Sequence, residues 1–318
     1  MKIAFITPGG DAPGMNACLR AAVRIAISHN FETYGIYRGY SGLLQEQISR
    51  LDKRSVGGII SRGGTILKSS RCEEIKTTRG QKKAADILNK YKFNYLVVIG
   101  GDGSFQAANK ISGLSKIPVV CIPASIDNDV YGTDESIGFD TAVDTAVAAI
   151  DKIRDTATSF DRVFIVEVMG REHGFLATAV ALASGAEFVM VPEFNFSIQK
   201  ICRQLKEHKK AGKTSGIIIF AEGCGDIKDI AEKIEKGSGL YVRISILGYI
   251  QRGGDPSARS RILATKFAEH SINLIKKKSL NRVVVFAKCG VSDISLKKSL
   301  KGEKKLDSAA IELVSRVA

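Results

Sequence analysis

The feature that most constrains this 318-residue chain is a series of strand-length apolar runs recurring from end to end. They cover Ile3–Thr7, Tyr95–Ile99, Ile117–Ile122, Arg162–Met169, Gly216–Glu222, Arg243–Tyr249 and Val283–Ala287. Several are separated by stretches of helical character, and a run without polar alternation fits a strand covered on both faces. The pattern predicts an α/β fold, with mostly parallel sheets covered by helices. The clearest helix is expected over Phe139–Arg154, where Phe139, Ala142, Val143, Ala146, Val147, Ile150 and Ile153 form one stripe at the 3.6-residue period. It is long enough to join two lobes, which places a boundary near Gly138.

Composition narrows the class further. At 44% hydrophobic and 25% charged residues, the chain is neither disordered nor fibrous. No apolar stretch approaches the ~20 residues of a membrane helix. The opening Lys2–Thr7 reads as a strand and not as a leader, so a soluble, cytoplasmic protein is expected, with no membrane partner. No two of the six cysteines are close in sequence, which excludes CxxC metal or redox motifs and favours reduced thiols. His29, His173, His208 and His270 are isolated and lack zinc spacing. More than half of the +14 net charge comes from residues 271–305, with ten Lys/Arg against two acids. No aromatics interleave with these lysines, so they read as a solvated face, and no nucleic-acid partner is expected.

Three loops at strand ends carry glycine and aspartate. Thr7-Pro8-Gly9-Gly10-Asp11-Ala12-Pro13-Gly14 leads into a helix from about Met15. Its glycines permit close backbone approach to an anion, although a tight strand-to-helix turn explains it equally. It matches neither GxGxxG nor GxxxxGK[ST]. Ile99-Gly100-Gly101-Asp102-Gly103-Ser104 can wrap a polyphosphate while Asp102 holds Mg²⁺, or it is a helix start with a capping aspartate. Ser125-Ile126-Asp127-Asn128-Asp129 places two carboxylates at i, i+2, suited to accepting a hydroxyl proton beside cations. Alone, it could also be a calcium-like loop or a surface turn.

Taken in order, GGDAPGMNA at 9–17, GGDGS at 100–104, IDND at 126–129, VMGR at 168–171 and IQRGG at 250–254 resemble the phosphofructokinase family. The resemblance spans essentially the whole chain and is nearest to the short bacterial-type members. It implies two α/β lobes: residues 1–138 with 251–301 bind ATP, and 139–250 with 302–318 bind the sugar phosphate. The implied reaction moves the γ-phosphoryl group of ATP onto the 1-hydroxyl of fructose 6-phosphate, with Mg²⁺, in a homotetramer.

By motif position, the resemblance makes Asp127 the base, with Asp129 beside it and Ser125 in the site, and makes Arg171 neutralise the transferring group. Asp102 would bind the metal. Gly10, Arg71, Gly101, Gly103 and Ser104 would line the nucleotide site. Met169, Gly170, Glu222, Tyr249 and Arg252 would face the sugar phosphate, with Arg162 and Arg243 reaching a neighbouring subunit. Arg20, Arg24, Arg154, Glu187 and Lys213 match effector-binding positions of bacterial relatives, and the family's allosteric character comes with that resemblance; for Arg20 and Arg24 the alternative is an exposed basic helix face. Gly103 and Ala124 are small where pyrophosphate users carry Asp and Lys, which favours ATP. Two sets of positions depart from the family. Tyr249 replaces a histidine, and Lys53, Arg54 and Ala211 differ around the effector positions. The competing readings are a weakly catalytic regulatory subunit, a kinase for another donor or sugar, and, more distantly, a nucleic-acid binder.

Overall fold

A computed structural model describes residues 1–317. The chain divides into two compact units, Met1–Thr141 with Arg252–Lys304 and Ala142–Gln251 with Lys305–Ala318. Its strands are β1 (Lys2–Ile6), β2 (Glu32–Ile36), β3 (Ile48–Leu51), β4 (Tyr95–Gly100), β5 (Val119–Pro123), β6 (Val163–Val168), β7 (Phe188–Met190), β8 (Gly216–Ala221), β9 (Val242–Ile246), β10 (Arg282–Ala287) and β11 (Gly290–Ser295). Its helices are α1 (Met15–Ser28), α2 (Gly39–Leu44), α3 (Thr78–Lys90), α4 (Asp102–Ser115), α5 (Phe139–Ser159), α6 (Phe175–Ser184), α7 (Ile198–Lys210), α8 (Ile227–Ser238), α9 (Ala258–Lys276), α10 (Leu296–Lys301) and α11 (Ser308–Val317).

The first unit holds a seven-stranded sheet in the order β11-β10-β5-β4-β1-β2-β3. β10, β5, β4, β1 and β2 run parallel, and β11 and β3 pair antiparallel at the two edges. Every residue of β4 is buried, as its unbroken apolar sequence requires of a strand covered on both faces. Ile6, Val98, Phe105, Ile111, Val285 and Leu296 belong to the core around it. The chain leaves β1 toward β2 on one side, and β4 leads to β5 on the other. The strand order therefore reverses between β1 and β4, the place where open α/β sheets bind ligands.

The second unit holds a parallel sheet in the order β7-β8-β6-β9. β8 is buried throughout, with Phe220, Ile218, Ile165, Leu205 and Ile234 in one cluster.

Most element boundaries lie within a few residues of the sequence expectation, with α5 running five residues past Arg154. One run is shorter than read: the strand expected over Arg243–Tyr249 stops at Ile246. Gly248 has φ +54°, in the left-handed region, and turns the chain into a 3₁₀ helix over Gly248–Arg252. Tyr249 therefore lies on that turn and not in the sheet. The six cysteines are all free thiols, as expected, and Cys18, Cys121 and Cys202 are buried.

Candidate active site

In the first unit, the three glycine–aspartate loops follow β1, β4 and β5, which are neighbours in the sheet and parallel, so all three emerge at the same carboxyl edge. The first loop enters α1 through Gly14, at φ +106°. A Cβ there would sit 2.7 Å from Ile137 Cγ2, so only glycine fits. The second loop starts α4 at Asp102, whose Oδ2 accepts a hydrogen bond from Gln106 Nε2 at 2.6 Å.

Hydrogen bonds join the loops into one rim. Ser104 Oγ donates to Pro8 O at 2.9 Å, linking the second loop to the first. Ala124 N donates to Gly100 O at 2.9 Å, linking the third to the second. Ser69 Oγ donates to Gly9 O at 2.5 Å, which tethers the segment bearing the exposed Arg71 to the first loop. The α1 and α4 N-termini and the glycine backbone of this rim suit phosphate oxygens. Gly103 has open space where a side chain would begin, and Gly101 lies 3.7 Å, measured from the Cβ it lacks, from the Cβ of Ser125.

The third loop is the most tightly held. Asp127 is 7% exposed, and its backbone N donates to Ser125 Oγ at 3.2 Å. Asn128 adopts φ +52°, and its side chain closes the loop on both sides. Its Oδ1 accepts from Ser136 N at 3.0 Å, and its Nδ2 donates to Asp134 O at 3.0 Å. Ser136 Oγ in turn donates to Ser125 O at 2.5 Å. Asp129 Oδ1 is buried without a hydrogen-bond partner.

Arg252 also belongs to this unit. Its Nη2 pairs with Asp11 Oδ1 at 2.8 Å and would meet a Cβ on Gly10 at 2.7 Å. The Arg252 guanidinium therefore lies directly against the Gly10 backbone. Asp11 is a partner that the motif reading did not single out, although it stands inside GGDAPGMNA. Asn16, in the same motif, ties the loop to a distant segment: its buried amide donates to Arg62 O and Gly63 O at 3.0 Å each and accepts from Ile66 N at 2.7 Å.

For Mg²⁺, the donor chemistry fits. Asp102 presents a half-exposed carboxylate, the hard-oxygen chemistry that Mg²⁺ takes, at the head of a helix, and no cluster of three His, Cys, Asp or Glu able to hold a metal occurs among the described residues. A single carboxylate with the remaining positions left to phosphates and water is the usual Mg²⁺ arrangement.

In the second unit, β6 ends at Val168 and the chain turns through Met169–Gly174. Gly170 at φ +137° and Arg171 at φ +53° make the turn, and a Cβ on Gly170 would lie 2.6 Å from His173 O. Glu222, just past β8, accepts from Gly170 N at 3.1 Å and Arg171 N at 2.7 Å through Oε1. Met169 N donates to the fully buried Gln251 Oε1 at 3.4 Å. Glu222 therefore shapes the Met169–Arg171 turn and leaves the Arg171 side chain exposed. Burial, and then the nearby Glu222 charge, push the Glu167 carboxyl above its ordinary range.

Arg162 lies over the Phe160 ring at 4.7 Å, and Arg243 stands on β9, opposite Phe164 of β6. Tyr249 is 74% exposed. Among the effector positions, the structure brings three together. Glu187, 3% exposed, pairs with Lys213 at 2.7 Å and Arg154 at 3.7 Å and accepts from Ile217 N at 2.5 Å. Arg20 and Arg24 lie on α1 of the first unit, half-buried and exposed respectively.

Phosphate-receptive loops on adjacent parallel strands, with a buried aspartate in one and a half-exposed aspartate in the next, define a phosphoryl-transfer class of α/β protein. Comparison with known proteins narrows this. The model of the family described as Phosphofructokinase matches residues 2–275. ATP-dependent 6-phosphofructokinase of Clostridioides difficile is 48% identical over 311 residues, covering 98% of this chain and 97% of its own. The enzyme of the same name from Clostridium tetani is 47% identical over 317 residues, covering 100% and 99%. Phosphofructokinase from Saccharomyces cerevisiae superposes with a TM-score of 0.87 at 31% identity. The match covers 99% of this chain and 47% of the yeast chain, so this chain spans about half its length. The chain belongs to the phosphofructokinase family.

Proposed function

We propose that this chain is an ATP-dependent 6-phosphofructokinase, transferring the γ-phosphoryl group of ATP to the 1-hydroxyl of fructose 6-phosphate in glycolysis. The observation that carries the reading is the hydrogen-bonded rim of three loops at the ends of β1, β4 and β5, with Asp127 buried in one and Asp102 at the helix start of the next. The curated relatives, which match over nearly their full length, bear the same name.

Asp127 takes the proton of the 1-hydroxyl as that oxygen bonds to the γ-phosphorus and the bond to the β,γ-bridging oxygen breaks. Asp129 adds negative potential beside it, and Ser125 holds the loop. Arg171 neutralises the charge on the moving group, which a planar guanidinium does well. Gly10, Arg71, Gly101, Gly103 and Ser104 receive the nucleotide, and Met169, Gly170, Glu222, Tyr249 and Arg252 the sugar phosphate. Asp102 would hold Mg²⁺, which neutralises donor phosphate charge when bound.

The first unit is thus read as the nucleotide part and the second as the sugar-phosphate part. A homotetramer, in which Arg162 and Arg243 serve a neighbour, agrees with the exposed edge strand β9. The Arg154–Glu187–Lys213 cluster is read, with Arg20 and Arg24, as an effector site. No helix among the described residues is long and apolar enough to cross a membrane, and the glycolytic role implies a place in the cytoplasm.

The test is a coupled assay on purified protein with fructose 6-phosphate and Mg²⁺, supplying ATP or pyrophosphate. ADP formation with ATP alone is expected, since Gly103 leaves the nucleotide side open. Turnover with pyrophosphate alone overturns the donor assignment, and turnover with neither overturns the function.

A further inference from the structure

The segment after β11 is built against the back of the loop that carries Asp127. Three contacts, all within the first unit, do this. Ser299 Oγ on α10 donates to Tyr131 O at 3.2 Å. The backbone at Gly302 presses on the Tyr131 ring, where a Cβ would come within 2.3 Å of Cδ1. Lys304 Nζ then donates to Asn128 O at 2.7 Å and to Asp134 O at 3.2 Å. Asn128 separates the two loop aspartates and sits in the left-handed region, which asparagine adopts more readily than other non-glycine residues and which its side-chain hydrogen bonds hold here.

Both Asn128 side-chain atoms are already committed to Ser136 and Asp134, and Lys304 adds a bond to the remaining backbone oxygen. A lysine in this half-buried position is chemically unusual. Burial pushes its ammonium down to about 8, against the pull of Asp134, Asp129 and Glu135. Nothing in the motifs assigns it a role, and the other lysines of residues 271–305 are exposed.

We infer that Lys304 is a positioning residue for phosphoryl transfer: by holding the Asn128 and Asp134 carbonyls together, its ammonium fixes the peptide between Asn128 and Asp129 and thereby the stance of the Asp127 carboxylate. This deepens the proposed function and rests on it. The Lys304 hydrogen bonds to Asn128 and Asp134 go to backbone carbonyls, so its influence on the base runs through the loop's main chain. It acts as a tie across the mouth of the bend from Asn128 to Asp134, so that the base is pre-set and need not be ordered at each turnover.

The experiment uses the full chain with Lys304→Met, Lys304→Arg and Ser299→Ala. Lys304→Met keeps a long apolar stem and removes the donor. Its kcat is expected to fall by about tenfold to a hundredfold, the scale of a small misplacement of a reacting group, with both KM values within about twofold. Lys304→Arg, which retains a cationic donor, recovers most of kcat. Ser299→Ala loosens the same segment at Tyr131 and leaves kcat at the wild-type value. Amide hydrogen exchange is read alongside and should quicken across residues 125–136 in Lys304→Met alone.

A kcat for Lys304→Met within about twofold of wild type overturns the inference. So does an equal loss in Ser299→Ala, which would mark a merely structural segment, or a loss of kcat with exchange across 125–136 unchanged. If Lys304→Met does not fold, Lys304→Gln is read by the same criteria. If the wild type shows no turnover, the function reading fails by itself. The exchange comparison still decides Lys304, and unchanged protection of 125–136 would refute the tie.

Discussion

Asp127 is buried yet polar, in a loop whose backbone is pinned by Ser125, Asn128 and Ser136, so its replacement should change chemistry and not shape. Asp127→Ser is expected to lower kcat by ~10²–10⁴-fold, the usual contribution of a general base, with substrate KM values nearly unchanged. Steady-state kinetics check this, and an undiminished kcat would remove Asp127 from the role. Tyr249 is the opposite case, 74% exposed on a 3₁₀ turn and different from the family histidine. A phenol offers one neutral hydrogen bond, whereas protonated imidazole offers a charge-assisted one. Tyr249→His should therefore lower KM for fructose 6-phosphate by about fivefold, most clearly below pH ~6.5 where imidazole is charged. A rise in KM would show that the tyrosine is the better ligand here. At this scale the sequence was informative where a motif is local and silent where the partner is distant. Asp127 and Asp102 announce themselves beside glycines and serines. Lys304 looked like one more solvated lysine, because the two carbonyls it holds lie about 170 residues earlier in the chain.

Elements were legible in proportion to how apolar their surroundings are. β4 and β8, covered on both faces, stand out as unbroken runs. β2, Glu32–Ile36, carries polar residues and a glycine, and β7 is three residues long, so neither rises above the background. β11 was missed because it is an edge strand with mixed burial, fixed by its hairpin and not by its own composition. That hairpin turns on Lys288 and Cys289, both at positive φ, the two-residue geometry that matches strand twist. Its β11 strand is held sideways by Asp293, which accepts from His270 Nε2 at 2.9 Å and pairs with Arg282. Burial raises the Asp293 pKa, but the hydrogen bonds and charges of His270 and Arg282 outweigh it and hold the carboxyl below its ordinary range. A carboxyl depressed on folding stabilises fully above its unfolded pKa and loses that contribution as pH falls through the folded one. Asp293→Asn should accordingly cost about 1 kcal/mol at pH ~7, and the gap to wild type should narrow below pH ~3.8. Urea midpoints at the two pH values measure it, and a gap independent of pH would assign the loss to packing.

For the whole molecule, the charge surplus and the exposed apolar surface point to different things. Of the ten basic residues in 271–305, eight are exposed lysines and only Arg282 and Lys304 are half-buried, as a solvated basic face requires. The apolar exposure is more telling. β9 closes one side of the second unit's sheet, where it pairs with β6. Around it Tyr241, Ile246 and Phe160 are 68%, 58% and 60% exposed. An edge strand with bare apolar side chains invites association unless something covers it. A second copy of the chain is the covering the proposed homotetramer supplies, and Arg243 on the same strand with Arg162 beside Phe160 would then be carried toward the neighbour's substrate. Light scattering should give about four times the 34.3 kDa of one chain. Ile246→Lys, a charge placed in that covered patch, should lower the mass and with it kcat/KM for fructose 6-phosphate, while ATP binding by the isolated chain survives. A variant that dissociates yet keeps full activity would show that each chain is complete alone, and would return Arg162 and Arg243 to an ordinary surface.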